Sequence, residues 1–267
     1  MYNKTSLTRF AATVAKLAGV EKPACADEGL DWVCDVLTDV CKDGFDRVLI
    51  HNPDAMGMFL YEKYPDMFEP VLKHTHLTVP FRSPMPSWTP VCFATMYTGA
   101  EPAVHGIQKY EKPVIKIDTL FDALLRAGKK GALITTGNCS LAKIYLERDM
   151  DYFLFPQGGV DAVNAKAAEL IMKDEHDLIV IYNGNYDSVM HKKGPEGLEA
   201  LCELRSNDHA FGEFCELVER HMSHRNTLVG FAMDHGCHEI DGDNGSHGLD
   251  MEEDLNIVHL YKGYKKK

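Results

Sequence analysis

Residues 131–182 read GALITTGNCSLAKIYLERDMDYFLFPQGGVDAVNAKAAELIMKDEHDLIVIY. Three short apolar segments in this stretch predict strands, at 131–136, 151–155 and 177–182. The two segments between them, SLAKIYLER and VDAVNAKAAELIMK, have the apolar spacing of amphipathic helices. This β-α-β-α-β order, with strands too apolar to have a wet face, predicts a largely parallel sheet with helices on both faces.

The same alternation continues on both sides of this stretch. Further strands are predicted at 47–51, 227–233 and 256–261, and further helices at 4–18, 26–41, 118–128 and 195–224. Asp118 is the expected N-cap of the helix at 118–128, and Gly128 its expected C-cap. Residues 58–85 contain four prolines, which predicts a helix through MFLYEKY followed by a loop.

A chain of 267 residues is long enough for one large α/β domain and too short for two full ones. We therefore expect a single domain over residues 1–267, built as a three-layer sandwich with a central sheet. Residues 1–45 are expected to form an N-terminal helical segment that packs on the core.

Composition excludes several classes of protein. No apolar run approaches the roughly 20 residues of a membrane span. Lys16 interrupts the apolar residues near the N-terminus, which therefore lack the continuous apolar core of a secretory signal. The net charge of −12 argues against a surface that binds nucleic acid polymers. Eight cysteines without a CxxC pair favour a reduced, cytoplasmic protein.

Residues of the types that bind metals follow three of the predicted strands. Asp54 follows strand 47–51, and Asp234 and His235 follow strand 227–233. Asp187 and His191 follow strand 177–182 and are four residues apart, so that one helical turn places them on the same side.

A further histidine, His247, lies in the glycine-rich loop DGDNGSHG. Taken alone, an aspartate after a strand is usually a turn residue or an N-cap, and a lone histidine is usually a surface or core residue. Ligands of open α/β sheets bind beyond the carboxyl ends of the strands, so the joint pattern predicts one crevice. Three ligands for each of two ions would leave open positions for a substrate.

A hydroxyl residue, Thr89, precedes the small and apolar run PVCFATMYTG. A helix that begins here would place unpaired N–H groups and its dipole where an anion such as phosphate binds. Because a threonine alcohol is a weak nucleophile near neutral pH, it would need a base or a metal ion to remove its proton.

Together these motifs resemble the alkaline phosphatase superfamily, and within it the type I phosphodiesterase/nucleotide pyrophosphatase branch. The resemblance rests on the order of DAMG, TPVCFATMYTGAEPAVHGI, DSVMHKKGP, MDHG and GSHG between residues 47 and 248, and on the nine-residue spacing from Thr89 to Thr98. It implies a phosphodiesterase or pyrophosphatase with Thr89 as nucleophile. One implied metal site is Asp54, Thr89, Asp234 and His235, and the other is Asp187, His191 and His247.

The resemblance also implies two divalent ions and a small phosphate-ester substrate. Zinc is favoured for ligands of this type, and manganese remains an alternative because carboxylate-rich sites bind it as well. No nucleic acid polymer or membrane is expected as a partner, and the oligomeric state stays open, with a homodimer as one candidate.

The chain departs from the family pattern at two places near the nucleophile. TPVC stands where TFPN is usual, and Tyr110 stands where the family has an asparagine that helps to hold the phosphate. Tyr110 or Lys109 is a candidate hydrogen-bond donor to the phosphate. The alternative is that the segment QKYEKP, which contains both residues, is a surface turn without this role. Trp88 is expected either to stack on the substrate or to fill the core, and the loops at 58–85, 108–116 and 192–210 are expected to select the substrate.

Other functions of the same superfamily remain open. A phosphomonoesterase, a phosphomutase and a phosphonate hydrolase share the motifs, although mutases carry a cap domain for which this chain has no room. A sulfatase would have Cys or Ser in place of Thr89. A binding protein without activity should have lost some of the seven ligand positions, and all seven are present.

Overall fold

The computed structural model describes all residues, 1–267, and contains a seven-stranded sheet and a two-stranded ribbon. Strands of the large sheet are β1 (Arg47–Pro53), β2 (Leu77–Arg82), β3 (Gly131–Thr136), β4 (Asp151–Phe155), β5 (Leu178–Asn183), β6 (Thr227–Ala232) and β9 (Asn256–Tyr264). The ribbon pairs β7 (His238–Ile240) with β8 (Asn244–Ser246).

The large sheet has the order β2-β9-β6-β1-β5-β3-β4. Neighbouring strands from β6 to β4 are parallel, whereas β9 is antiparallel to both β6 and β2. Every residue of β1, β5 and β6 is buried, as expected for parallel strands covered on both faces. The predicted largely parallel sheet of a three-layer α/β fold is therefore confirmed.

Twelve α-helices and one short 3₁₀ helix, Pro65–Phe68, accompany the sheet. The α-helices are α1 (Arg9–Leu17), α2 (Asp31–Val40), α3 (Met58–Lys63), α4 (Glu69–His74), α5 (Thr89–Thr98), α6 (Pro102–His105), α7 (Leu120–Arg126), α8 (Ser140–Ile144), α9 (Val160–Lys173), α10 (Asn185–Lys193), α11 (Leu198–His221) and α12 (Glu252–Leu255). Helices α1, α2, α5, α7 and α8 form one group of mutual contacts, and α4, α9, α10 and α11 form another.

Two local predictions are wrong. The N-cap of α7 is Thr119, not Asp118, because the Thr119 hydroxyl accepts from the Asp122 N–H while the Asp122 carboxylate accepts from the Thr119 N–H. Asp118 instead forms an ion pair with Arg126. The predicted loop after α3 contains β2, whose Pro80 is tolerated because β2 is an edge strand.

Membrane-spanning segments are absent from the helices, since none is both long enough and apolar enough to cross a bilayer. All eight cysteines are free thiols. The cytoplasmic location stays a prediction.

The N-terminal helices share the core of the sheet. One cluster of 69 buried apolar residues reaches from Leu7 to Tyr261, so the first helices and the last strand pack in a single core. Helix α5 ends at Gly99, whose φ of +70° is left-handed and whose carbonyl accepts from the Asp27 N–H at 2.9 Å. A Cβ at this position would lie 2.5 Å from the Ala26 Cβ. The N-terminal segment therefore packs directly against the end of α5.

We expect Gly99→Ala to lower the free energy of unfolding by about 2–5 kcal/mol, because a left-handed alanine costs about 1–2 kcal/mol and an overpacked contact about 1–3 kcal/mol. The matched control is Gly106→Ala at the end of α6, where φ is +86° and no atom lies within 4 Å of the added Cβ. The control should lose only about 1–2 kcal/mol. Urea unfolding measures the free energy of unfolding of both variants. Equal losses would show that the backbone near Ala26 can move to accept the added Cβ at no energetic cost.

Candidate active site

The site lies at the carboxyl ends of β6, β1 and β5, which are neighbours in the sheet. Asp54 directly follows β1, and Asp234 and His235 follow β6. Asp187 and His191 lie on α10, which begins two residues after β5. Because parallel strands end at the same edge, residues far apart in sequence meet in one crevice.

The first cluster consists of Asp54, Asp234 and His235, all of them buried. The His235 Nε2 lies 3.4 Å from the Asp54 Oδ1 and 3.3 Å from the Asp234 Oδ2. Thr89 is the first residue of α5, and its Oγ1 lies 3.2 Å from the same nitrogen. The structure thus brings four of the seven predicted site residues together.

The second cluster consists of Asp187, His191 and His247. The Asp187 Oδ1 lies 3.2 Å from the His191 Nε2 and 3.4 Å from the His247 Nε2. The rings of His247 and His235 lie 4.2 Å apart between centroids, so the two clusters adjoin. All seven predicted site residues therefore surround one space.

Hydrogen bonds to the backbone orient the three histidines. Their Nδ1 atoms lie within 2.9–3.0 Å of carbonyl oxygens, with His191 facing Gly245, His235 facing Gly236 and His247 facing Ser87. A neutral histidine that donates its Nδ1–H in this way presents a lone pair on Nε2. Such backbone contacts are the usual outer partners of metal-binding histidines.

The two aspartates of the first cluster are held by their other oxygens. The Tyr182 hydroxyl donates to the Asp54 Oδ2. The Ala55 N–H donates to the Asp234 Oδ1 at 3.2 Å, and Ala55 has a φ of +62°, a region that residues other than glycine rarely adopt. Each aspartate therefore turns its remaining oxygen towards His235.

Those remaining oxygens have no hydrogen-bond donor. The Asp54 Oδ1, the Asp234 Oδ2 and the Asp187 Oδ1 are buried without a partner. Each lies 3.2–3.4 Å from a histidine Nε2, so that lone pairs would oppose lone pairs wherever the carboxylate and the imidazole are both deprotonated. Only a proton or a cation between them relieves this opposition, and carboxylate oxygen and imidazole nitrogen are good ligands for zinc or manganese. The residues present therefore fit a divalent ion at each cluster.

The pKa values of the chain without metal reflect the same opposition. Burial raises the pKa of Asp54 to about 7, and the charge of Asp187 adds to this effect. Burial, followed by the charge of Asp54, also raises the pKa of Asp234. Burial lowers the pKa of His235 to about 3, whereas the hydrogen bond to Asp187 raises the pKa of His191 to about 9. Protons thus occupy part of the space that a metal ion would fill.

A cavity of about 430 Å³ opens beside the clusters, and Thr89, Asp54 and Asp187 line it. Of the three loops expected to select the substrate, 108–116 contributes Tyr110 and Lys112. The segment 192–210 contributes Glu203 and Ser206, but it is helical from Leu198 onwards, in α11, and is not a loop there. No residue of 58–85 lines the cavity, because this segment forms α3, α4 and the edge strand β2.

Two further loops line the cavity that the sequence analysis did not identify, at 136–140 and 157–161. They follow β3 and β4, and the rule that ligands bind beyond strand ends applies to them as well. Tyr182, the partner of Asp54, was also missed. A tyrosine at the end of a buried strand needs a partner for its hydroxyl, and this need could have indicated it.

The residues near the nucleophile that carried alternatives now have definite places. Trp88 packs against the core and against Gly248 and does not line the cavity. Tyr110 lines the cavity, whereas Lys109 is largely exposed and pairs with Glu111. The core interpretation of Trp88 is therefore correct, and Lys112 replaces Lys109 as the basic residue at the cavity.

Comparisons with known proteins bear on the family and on the fold. A family model described as type I phosphodiesterase/nucleotide pyrophosphatase matches residues 66–264. No curated protein sequence gives a significant match.

Among solved structures, murine ectonucleotide pyrophosphatase/phosphodiesterase 5 is similar, with a TM-score of 0.59 and 18% identity over 73% of this chain and 58% of that chain. A second structure of the murine protein is an inactive threonine-to-alanine variant in complex with AMP, with the same scores. The human protein is similar with a TM-score of 0.57 and 17% identity over the same shares.

The chain thus spans less than two thirds of the length of these proteins, and at such identities the likeness shows the fold alone. The family model, in contrast, covers more than half of the chain. The resemblance seen in the motifs is therefore confirmed, and the chain belongs to the type I phosphodiesterase/nucleotide pyrophosphatase family of the alkaline phosphatase superfamily.

Proposed function

We propose that this protein hydrolyses small phosphodiesters, with Thr89 as nucleophile and two divalent metal ions. The observation that carries the proposal is the set of buried, unpartnered aspartate oxygens that face histidine lone pairs beside the Thr89 hydroxyl. Asp54, Asp234 and His235 would hold one ion next to Thr89, and Asp187, His191 and His247 would hold the other. Zinc is the preferred ion for these ligands, with manganese as the alternative.

The position of Thr89 suits attack on a phosphate. Its Oγ1 stands at the N-terminus of α5, where the helix dipole favours a negatively charged group. Attack on phosphorus would form the bond from Oγ1 to phosphorus and break the bond to the leaving alcohol, which takes up a proton. Water would then form a bond to phosphorus, and cleavage of the threonine ester would restore the Thr89 hydroxyl. When bound, the two ions would lower the pKa of the threonine and offset the charge of the phosphoryl oxygens.

Comparison with the murine protein supports a small phosphate ester as substrate. Its inactive threonine-to-alanine variant is in complex with AMP, a phosphate ester of modest size. The cavity of this chain, at about 430 Å³, lies within the range of roughly 300–1,000 Å³ typical of small-molecule sites.

The first expected outcome concerns activity. Metal-stripped protein supplied with Zn²⁺ or Mn²⁺ should cleave bis-p-nitrophenyl phosphate faster than p-nitrophenyl phosphate, as release of nitrophenolate measures. Thr89→Ala should lower kcat at least about a thousandfold, because the group that attacks phosphorus is lost. Preference for the monoester would indicate a phosphatase instead.

Thr98→Ala is a control for Thr89→Ala, since Thr98 ends the same helix and its hydroxyl donates to the Ala94 carbonyl of that helix. Thr89→Ala should still bind nearly two ions per chain. Retained turnover in Thr89→Ala would remove Thr89 as nucleophile.

The second expected outcome concerns metal content. His247→Ala should weaken one ion selectively, since only the second cluster loses a ligand atom, and equilibrium dialysis at limiting zinc should then find close to one ion per chain. The control is His209→Ala, an exposed histidine of α11 outside both clusters. Unchanged stoichiometry in His247→Ala would show that the loop of His247 does not bind metal.

The third expected outcome concerns protons. Metal ions bind the deprotonated ligands, so zinc binding near neutral pH should release protons from His191, with a pKa of about 9, and from Asp54, with a pKa of about 7. Affinity should therefore rise with pH up to about 9. Titration calorimetry in two buffers of different ionisation enthalpy measures the release, which should be smaller in His191→Ala. Equal heats in both buffers would contradict this view of the site.

A further inference from the structure

The cavity extends well beyond the two clusters, and its walls are polar. Hydroxyl, amide and carboxylate groups line it, among them those of Asn138, Ser140, Gln157, Asn185, Glu203 and Ser206. The one basic side chain among its lining residues is that of Lys112, whose Nζ donates to the Asn138 carbonyl at 3.2 Å. Such walls offer both donors and acceptors to a ligand.

Aromatic surface for a flat ring system is scarce in this cavity. Only two aromatic residues line it, Tyr110 and Tyr182. Tyr182 is 5% exposed and its hydroxyl is bound to Asp54. Tyr110 is 58% exposed and has the Lys112 Nζ 5.2 Å from its ring centroid. Bases held without hydrogen-bond readout depend on stacking against aromatic side chains, and this cavity has no pair of rings to enclose one.

A buried relay of asparagines supports one wall of the cavity. The Asn183 Nδ2 lies 2.9 Å from the Asn164 Oδ1 and 3.2 Å from the Asn207 Oδ1. The Asn207 Nδ2 in turn donates to the Asn185 Oδ1 at 3.0 Å. The Asn183 Nδ2 also lies 3.1 Å from the His51 Nε2 and its Oδ1 has no partner, so the direction of the relay is set from its other end, where a carboxylate can only accept.

The relay ends at Glu203. With its oxygen occupied by Asn207, Asn185 points its Nδ2 at the Glu203 Oε2, 2.7 Å away. The Glu203 carboxylate forms no ion pair, and its Oε1 accepts no hydrogen bond from the protein. The relay therefore orients the Glu203 carboxylate at the cavity wall and leaves its Oε1 free of protein donors.

We propose that the alcohol seated in this cavity is a small polyol, such as a glyceryl or sugar group, and that the Glu203 carboxylate accepts a hydrogen bond from one of its hydroxyls. The proposal rests on the phosphodiesterase function proposed above and names the substrate class of that site. Hydroxyl groups both donate and accept, so a polyol would donate to Glu203 and accept from Lys112 or Asn138, which line the same cavity.

The test compares two substrates that differ only in hydroxyl groups, p-nitrophenyl glyceryl phosphate and p-nitrophenyl propyl phosphate, on the zinc-loaded full chain. The glyceryl ester should have the higher kcat/KM by at least about tenfold, since a site built for a hydroxyl discriminates against the analogue that lacks it. Glu203→Gln and Glu203→Ala should reduce this ratio to about twofold or less. Glu219→Gln, on an exposed turn of α11 outside the cavity, should keep it.

Bis-p-nitrophenyl phosphate, assayed with the same preparation, separates the two proposals. Absence of its cleavage with both metal sites filled would overturn the phosphodiesterase function itself. Cleavage of this ester together with a glyceryl-to-propyl ratio near one would overturn the polyol proposal alone. Faster turnover of thymidine 5′-p-nitrophenyl phosphate than of the glyceryl ester would also overturn it, in favour of a nucleoside in the cavity.

Discussion

The close approach of three aspartate oxygens to three histidine nitrogens, which requires a proton or a cation between them, is the constraint on which the rest of the site depends. Burying such groups without a partner is costly, because water no longer solvates them. The chain nevertheless fixes this arrangement through backbone carbonyls at Ser87, Gly236 and Gly245, which hold the histidines in one orientation. The cost of this burial lowers the stability of the folded protein without metal. Binding of a cation offsets that cost, so the same arrangement that destabilises the fold favours metal binding.

The sheet makes this arrangement possible by aligning strand ends. Buried parallel strands need no polar side chains along their length, so the polar residues concentrate where β1, β5 and β6 stop. The same edge receives the N-terminus of α5, which brings Thr89 to the first cluster. Long-range order in the sheet therefore provides positioning that the short segments could not achieve alone.

Sequence patterns predicted the parts of this protein whose physics is local. Apolar runs located the strands at 131–136 and 151–155 with the bounds that the structure has, and strand-end residues predicted one crevice, which the family resemblance divided into the two clusters. Failures occurred where tertiary contacts decide. Strand β2 forms by antiparallel pairing with β9. The residues of β2 alone do not indicate that β9 is the partner.

Residues of the cavity wall were hardest to foresee. Glu203 and Asn185 meet only because α11 packs against α10, and helical periodicity does not reveal the rotation of one helix against another. Tyr182 was read as the last apolar residue of a strand, while its hydroxyl reaches Asp54 across the sheet edge. Side chains that contact a substrate are therefore harder to predict from a single sequence than side chains that bind a metal.

The hydrogen bonds of Ser87 join two parts of the site that are otherwise far apart in the chain. Ser87 lies two residues before Thr89. Its carbonyl accepts from the His247 Nδ1 at 3.0 Å, and its hydroxyl accepts from the Gly248 N–H at 3.1 Å. Two hydrogen bonds thus tie the loop of His247 to the loop that leads into α5. An ion held by His247 would therefore also restrain, through Ser87, the segment that positions Thr89.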